Sequence, residues 1–261
     1  MERNIIFDRT ARLTGHEALG LMERLPVIIF GVGGVGAWTA EALARTGFAD
    51  ITLVDADDVA PTNINRQMPA LASTLGRPKA EVVAERLRDI NPGIRVTPIR
   101  GLYTPETSAG YDLTRWAYIF DCIDSLADKA HLILEATRAM ALSAKEGVPV
   151  RFYSSMGAAL KTDPSRISTA EFWKVKGCPL AAALRRRFKK SGLMPSRKFT
   201  CVYSDELVAQ HPGYLPAGEV SDGSMTFNKA VTNGSLMHIT AVFGLTLASL
   251  AVRDVMKRAE K

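Results

Sequence analysis

Cysteine is scarce in this chain: Cys122, Cys178 and Cys201 are the only three in 261 residues, and no two form a C-x-x-C pair. An odd, scattered set argues against a disulfide framework and for a reducing compartment. With no paired cysteines, and with His16, His131, His211 and His238 lacking ligand-like spacing, no structural zinc is expected. The opening Met1-Glu2-Arg3-Asn4 does not read as a signal peptide, so a cytoplasmic location is expected. The longest weakly polar run, Ile239 to Val252, is shorter than the ~20 residues that span a bilayer; it reads as a buried core helix, with no membrane contact. A large charge excess is missing as well. The 33 Lys+Arg and 27 Asp+Glu leave +6, a modest basic bias compatible with a polyanionic partner.

What is present is a chain rich enough in apolar residues to fold, 47% hydrophobic against 23% charged, so disorder is excluded. Val27-Ile28-Ile29-Phe30, between Pro26 and Gly31, is too short for a helix and suits a strand buried on both faces. Gly31-Val32-Gly33-Gly34-Val35-Gly36 follows, then a helical stretch from Ala37 to Arg45 stopped by Gly47, then a second buried strand, Ile51 to Val54. Val83, Leu87 and Ile90 line one face of a helix with Pro78 at its first position and Asn91-Pro92-Gly93 at its end. Arg95 to Ile99, Tyr118 to Asp121 and Val148 to Tyr153 read as further strands, with a helix running from Ser125 to about Gly147. Residues 25–155 thus predict an α/β fold, a Rossmann-like doubly wound and mostly parallel sheet. Residues 1–24 read as a helical arm. Residues 156–261 read as a substrate-side extension on the same domain, with a basic helix Pro179 to Lys190, a strand Phe199 to Tyr203, a polar 210–235 loop and a long apolar helix Leu236 to Arg258.

Glycines at 31, 33, 34 and 36 let a phosphate approach the backbone where no Cβ intrudes, and the next helix offers it unpaired N–H groups. Asp55, ending the second strand, is placed to accept ribose hydroxyls. To this point an ATP enzyme and a dinucleotide oxidoreductase fit equally. The next loop separates them. Asp55, Asp57, Asp58, Asn63, Asn65, Arg66 and Gln67 put carboxylates, amides and a guanidinium near the carboxyl edge of the sheet, for which hydride transfer has little use. If 61–67 makes a helical turn, Asn63, Arg66 and Gln67 share a face, and Arg66 can clamp a triphosphate. Lys79 adds a second cation, and Asp124, just past the fourth strand, is placed to hold Mg²⁺ or orient the α-phosphate. The competing reading of each is ordinary: Arg66 and Lys79 as solvated charges, Asp124 as a helix N-cap.

These motifs, Gly31 to Gly36, Asp55 to Val59, Asn63 to Gln67, Gly76 to Lys79 and Asp121 to Ser125, resemble the ubiquitin-activating-type superfamily, whose bacterial members adenylate carboxyl groups. The likeness is strongest to its tRNA threonylcarbamoyladenosine dehydratase branch, through Arg12-Leu13-Thr14-Gly15, Ala40 to Gly47, Lys79 to Arg86, Ile90-Asn91-Pro92, Asp163-Pro164-Ser165, Pro179 to Arg187 and Cys201 to Ser204. The resemblance implies ATP over the glycine turn, ribose on Asp55, phosphates on Asn63, Arg66 and Lys79, and Mg²⁺ with Asp124. It also implies a homodimer in which Arg12 reaches the neighbouring subunit's nucleotide, tRNA as substrate, and a cysteine-desulfurase relay protein as a further partner. The implied reaction is ATP-dependent cyclisation of threonylcarbamoyladenosine. Activation of a sulfur carrier's C-terminal Gly-Gly, or a non-catalytic role in a sulfur relay, are the alternatives. One stretch departs from the family: Ser154-Ser155-Met156-Gly157-Ala158-Ala159 stands where a glycine-rich loop is usual, which puts bulkier residues on the substrate side. The cluster Arg185, Arg186, Arg187, Lys189, Lys190, Arg197 and Lys198 is read as tracking tRNA phosphates or as a solvated face.

Overall fold

The computed structural model describes residues 3–144, 149–214 and 233–260. In chain order the elements are α1 (Arg3–Ile6), α2 (Asp8–Thr14), α3 (His16–Arg24), β1 (Val27–Phe30), α4 (Gly36–Thr46), β2 (Asp50–Val54), α5 (Lys79–Ile90), β3 (Arg95–Ile99) and β4 (Tyr118–Asp121). They continue as α6 (Leu126–Ser143), β5 (Arg151–Ser155), β6 (Ile167–Glu171), α7 (Pro179–Ser191), β7 (Thr200–Ser204) and α8 (Met237–Ala259). One seven-stranded sheet runs β3-β2-β1-β4-β5-β7-β6, and every pair is parallel except β6 with β7.

The centre of the sheet is apolar because both its faces are covered. Every residue of β1 and β4 is buried, as parallel strands between helical layers require. One layer packs Leu43, Val83, Phe243 and Leu247 against Val27, Ile29 and Phe120; the other packs Leu132, Ile133, Leu184 and Phe188 against Ile28, Ile119 and Phe152. Between β1 and β4 the strand order reverses direction, the place where open α/β sheets take ligands. The register is what matters for function: Phe30 pairs with Val54 on one side and with Asp121 on the other. The next residues, Gly31, Asp55 and Cys122, therefore leave the sheet side by side.

Several features differ from the sequence reading. β6 was not anticipated, because Ile-Ser-Thr-Ala-Glu is a half-exposed edge strand with no apolar run to mark it. Pro78 precedes α5 rather than starting it; its extended ψ of 127° ends the loop, and its carbonyl accepts the Val82 amide. β5 and β7 begin later than expected, and position 148 lies outside the described residues, as do 145–147 of the preceding helix and most of the 210–235 loop. Helix α8, Met237–Ala259, falls within one residue of the expected Leu236 to Arg258 at each end, and among the described residues it is the one helix long and apolar enough to cross a membrane. Half of its most apolar stretch is buried in the fold, however, packed on α4 and α3. Gly244 makes that contact possible: a Cβ there would lie 2.5 Å from the Val35 carbonyl oxygen. Asp254 fixes the other end of α8 by accepting from Tyr118 Oη at 2.7 Å, Arg151 Nε at 3.0 Å and Arg258 Nε at 2.7 Å.

Candidate active site

Three loops meet at the carboxyl ends of β1, β2 and β4. The first is the glycine turn. Gly31 takes a φ of +85°, and a Cβ on it would sit 2.7 Å from the Cys122 carbonyl oxygen; one on Gly36 would sit 1.8 Å from the Gly31 oxygen. Only glycine fits at either position. No side chain caps the N-terminus of α4; the Ala37 amide is taken by the Gly33 carbonyl at 3.2 Å, which leaves the Gly36 and Trp38 amides to an anion.

Asp55 joins the second loop to the first. Its Oδ2 accepts from the Val32 amide at 2.6 Å and its Oδ1 from the Asp57 amide at 2.9 Å. Burial pushes this carboxyl above its ordinary value, against the opposing pull of those two amides and of Lys79. The segment 57–59 pairs with 76–79 through Val59 N to Arg77 O, Gly76 N to Val59 O and Lys79 N to Asp57 O. That pairing delivers Lys79, only 5% exposed, to the site, where its Nζ donates to Asp57 Oδ2 at 2.8 Å. Lys79 is therefore no solvated surface charge.

The 61–67 stretch opens with a short 3-10 turn, Pro61–Asn63, and a second turn follows in which the Asn63 carbonyl accepts the Arg66 and Gln67 amides at 3.1 and 2.9 Å. Asn63 Oδ1 accepts the Ala60 amide at 3.1 Å; Arg66 Nη1 donates to Thr62 O and Asn65 Oδ1, both at 2.9 Å. Gln67 goes inward and lies beside Gly33, its Oε1 buried with no hydrogen-bond partner. A buried acceptor left open at the glycine turn calls for a donor; toward a phosphate it is the Gln67 Nε2 amide, on the same side chain, that can donate.

Asp124 is exposed at the end of β4, in the third loop, and it is not the cap of α6: Ser125 occupies that position. Mg²⁺ is usually held by one or two carboxylates together with substrate phosphates. One exposed carboxylate beside the glycine turn fits that donor pattern, although the described residues contain no group of three or more metal-ligating side chains.

Arg12 stands apart. On α2 it pairs with Asp8 at 2.8 Å, with its side chain 76% exposed. Phe7, just before α2, packs beside Gly47, at the amino end of β2, a strand's length from Asp55. Within its own chain Arg12 is not brought to the glycine turn.

Sequence reasoning missed Lys129. It is fully buried on α6 among Ala130, Leu132 and Ile133, and its Nζ pairs with Asp121 Oδ2 at 2.8 Å. A lysine inside an apolar helix face was the available signal. The departure at 154–159 also changes meaning. Ser154 belongs to β5 and donates to Asp121 Oδ2 at 2.6 Å, Ser155 donates to the Met156 carbonyl, and Met156 is buried. Of this stretch only Gly157-Ala158-Ala159 lies beyond the strand and is partly exposed. Arg185 leaves the basic cluster: its Nη1 donates to the Phe172 and Val175 carbonyls, both at 3.0 Å, whereas Arg186, Arg187, Lys189, Lys190, Arg197 and Lys198 are exposed. Burial and the neighbouring Asp121 carboxylate push the Cys122 thiol up to about 12, and burial raises Cys201 well above the ordinary range; both shifts favour the thiol over the thiolate.

A doubly wound sheet with a glycine turn, a strand-end aspartate and a buried lysine at its switch point is the frame of a nucleotide-binding α/β enzyme. The chain belongs to the ThiF family, whose model matches residues 7–261. It is 38% identical to the Escherichia coli tRNA threonylcarbamoyladenosine dehydratase over 98% of this chain and 95% of that protein. It is 35% identical to the Bacillus subtilis protein of the same name, over 97% and 96%. The solved E. coli dehydratase in complex with ATP superposes with a TM-score of 0.79 at 37% identity, covering 98% of this chain and 96% of that one.

Proposed function

We propose that this enzyme adenylates the carboxylate of threonylcarbamoyladenosine in tRNA and closes the modified group into a ring. A carboxylate is a poor acyl donor because oxide or hydroxide would have to leave. Its attack on the α-phosphate of ATP expels pyrophosphate and makes AMP the leaving group. The carbamoyl group of the same substrate then closes on the activated carbonyl, an intramolecular step favoured by proximity. The observation that carries the reading is the convergence of the glycine turn, Asp55, the Asp57–Lys79 pair and Asp124 at one sheet edge, in a chain similar over 98% of its length to the dehydratases.

In this reading the protein positions groups and neutralises charge; no side-chain nucleophile is needed. Asp55 takes the ribose. The glycine-turn amides, Asn63 and Gln67 line the phosphates. Lys79 Nζ keeps Asp57 with one of its three hydrogens and offers the others to the triphosphate. Arg66 leaves its carbonyl partner to do the same. Mg²⁺, when bound, would be held by Asp124 and the phosphates and would supply charge neutralisation. Arg12, exposed and far from its own glycine turn, serves the nucleotide of a second copy, which makes the working unit a homodimer. Residues 1–24 then act as an arm, 25–155 as the ATP core and 156–261 as the substrate side. A cysteine-desulfurase relay protein is a further partner in this reading, and the cytoplasm its compartment.

The test is release of AMP and pyrophosphate with tRNA carrying threonylcarbamoyladenosine, compared with sulfur-carrier proteins ending in Gly-Gly. Stimulation by the tRNA, lost in folded Arg66→Ala and Asp124→Ala variants, is expected. Stimulation by a carrier protein alone would overturn the assignment.

A further inference from the structure

We infer that Lys129 and Asp121, with Ser154, are positioning residues that hold the loop carrying Asp124 against the glycine turn. The inference rests on the adenylation reading only for Asp124's task; the clamp itself is geometric.

Lys129 and Asp121 are both fully buried, in a 2.8 Å ion pair. A pair of this kind adds little net stability over well-packed apolar residues of the same size, because desolvation offsets the attraction. What distinguishes this pair is where its remaining bonds go. Lys129 Nζ donates to the Ile123 carbonyl at 2.8 Å, and Asp121 Oδ1 accepts the Ile123 amide at 3.1 Å. Both polar groups of the residue immediately before Asp124 are thus fixed by one ion pair. Asp121 is itself held from the neighbouring strand by Ser154 Oγ, at 2.6 Å. The preceding residue presses on the glycine turn, the Cys122 carbonyl oxygen lying 2.7 Å from where a Cβ on Gly31 would sit. The pair therefore sets the position of the β4 loop relative to Gly31. It touches no substrate; it acts through Ile123 on Asp124 and through Cys122 on the turn.

The experiment is calorimetric ATP binding by the full chain, with and without Mg²⁺, alongside pyrophosphate release. Two variants are compared: Ser154→Ala, which removes one hydroxyl and leaves the ion pair, and the double variant Asp121→Asn with Lys129→Met, which removes both charges together and leaves no lone buried ion. Thermal unfolding identifies the folded proteins. In the double variant the gain in ATP affinity conferred by Mg²⁺ should fall by about tenfold, the lower end of what outer partners of a metal site contribute, with metal-free affinity nearly unchanged. Ser154→Ala should move in the same direction by about threefold, and Ser154→Thr should restore the wild-type value. A folded variant whose Mg²⁺ gain equals that of wild type overturns the inference. Should the double variant not fold, Ser154→Ala alone decides it. Because the readout is binding, failure of the dehydratase assignment shows separately, as absent turnover in the wild-type enzyme.

Discussion

Asp55 accepts the Val32 amide at 2.6 Å, so the carboxylate that ends β2 also closes the glycine turn that follows β1. The carboxylate proposed to take the ribose and the turn proposed to cradle the phosphates are one hydrogen-bonded unit. Asp55→Ala should lose both the sugar contact and the shape of the turn, weakening ATP binding by at least about tenfold, a little over one net hydrogen bond; titration calorimetry measures it. The pH response follows from burial. Because burial raises the Asp55 carboxyl from 3.8, the folded protein takes up this proton more readily than the unfolded chain. The group's contribution to stability therefore declines as pH rises from 3.8 through the raised value. ATP affinity should change in the opposite sense, falling as acid protonates the carboxylate. Affinity that stays flat in that window in wild type would separate Asp55 from ribose binding.

The glycines divide by what a methyl group would meet. At Gly36 a Cβ would overlap the Gly31 oxygen at 1.8 Å, whereas at Gly33 it would lie 3.6 Å from Gln67, an ordinary contact. Gly36→Ala should therefore cost stability, about 3 kcal/mol or more by forced distortion of a packed turn. Gly33→Ala should melt at the wild-type temperature and still bind ATP poorly, because its methyl group occupies the phosphates' approach. Thermal melts beside ATP titrations separate the two effects. Full ATP affinity in Gly33→Ala would place the phosphates elsewhere.

Legibility followed burial and local spacing. The apolar runs of β1, β2 and β4 and the stop at Gly47 could be read directly, because a strand covered on both faces has few other compositions. The glycine turn and Asp55 were legible for the same reason, lying on either side of one short helix. The pairing of 57–59 with 76–79 was not, since it joins segments some twenty residues apart by backbone bonds that any sequence can make. Nor were the separate partners of Asn63, Arg66 and Gln67, which take the Ala60 amide, the Thr62 carbonyl and a buried place beside Gly33. Arg185 looked like its neighbours in sequence; only the tertiary position of the Phe172 carbonyl sets it apart.

Asp254 anchors α8 to β4 and β5, and its acid response is calculable in sign. Burial would raise its carboxyl, but hydrogen bonds from Tyr118 and Arg151 and the charges of Arg258 and Arg151 outweigh burial and hold it below 3.8. A depressed carboxylate supplies stability that is present above 3.8 and lost as pH falls through its lowered value. Asp254→Asn should cost about 2 kcal/mol at neutral pH, where it strands Arg151 and Arg258. It should also flatten the fall in stability at the most acid end. Denaturant melts of both proteins across the acid range test this; parallel curves would mean that another group dominates acid unfolding.

The basic helix yields a prediction with an internal control. Arg186 and Arg187 are exposed and make no hydrogen bond or ion pair among the described residues, whereas Arg185 is held on two carbonyls and over the Phe172 ring, 5.8 Å from its centroid. If this face follows tRNA phosphates, removing each cation that neutralises a phosphate should reduce the slope of log affinity against log salt by a little under one. Arg186→Ala with Arg187→Ala should lower both the affinity and that slope and leave the melting temperature unchanged. Arg185→Ala should do the reverse, lowering the melting temperature by orphaning the Val175 carbonyl and leaving the Phe172 carbonyl only the Val175 amide, while the slope stays intact. Filter binding at several salt concentrations measures the slopes. Equal slopes for wild type and the Arg186/Arg187 double variant would remove this helix from the RNA interface and leave its exposed charges as a solvated face.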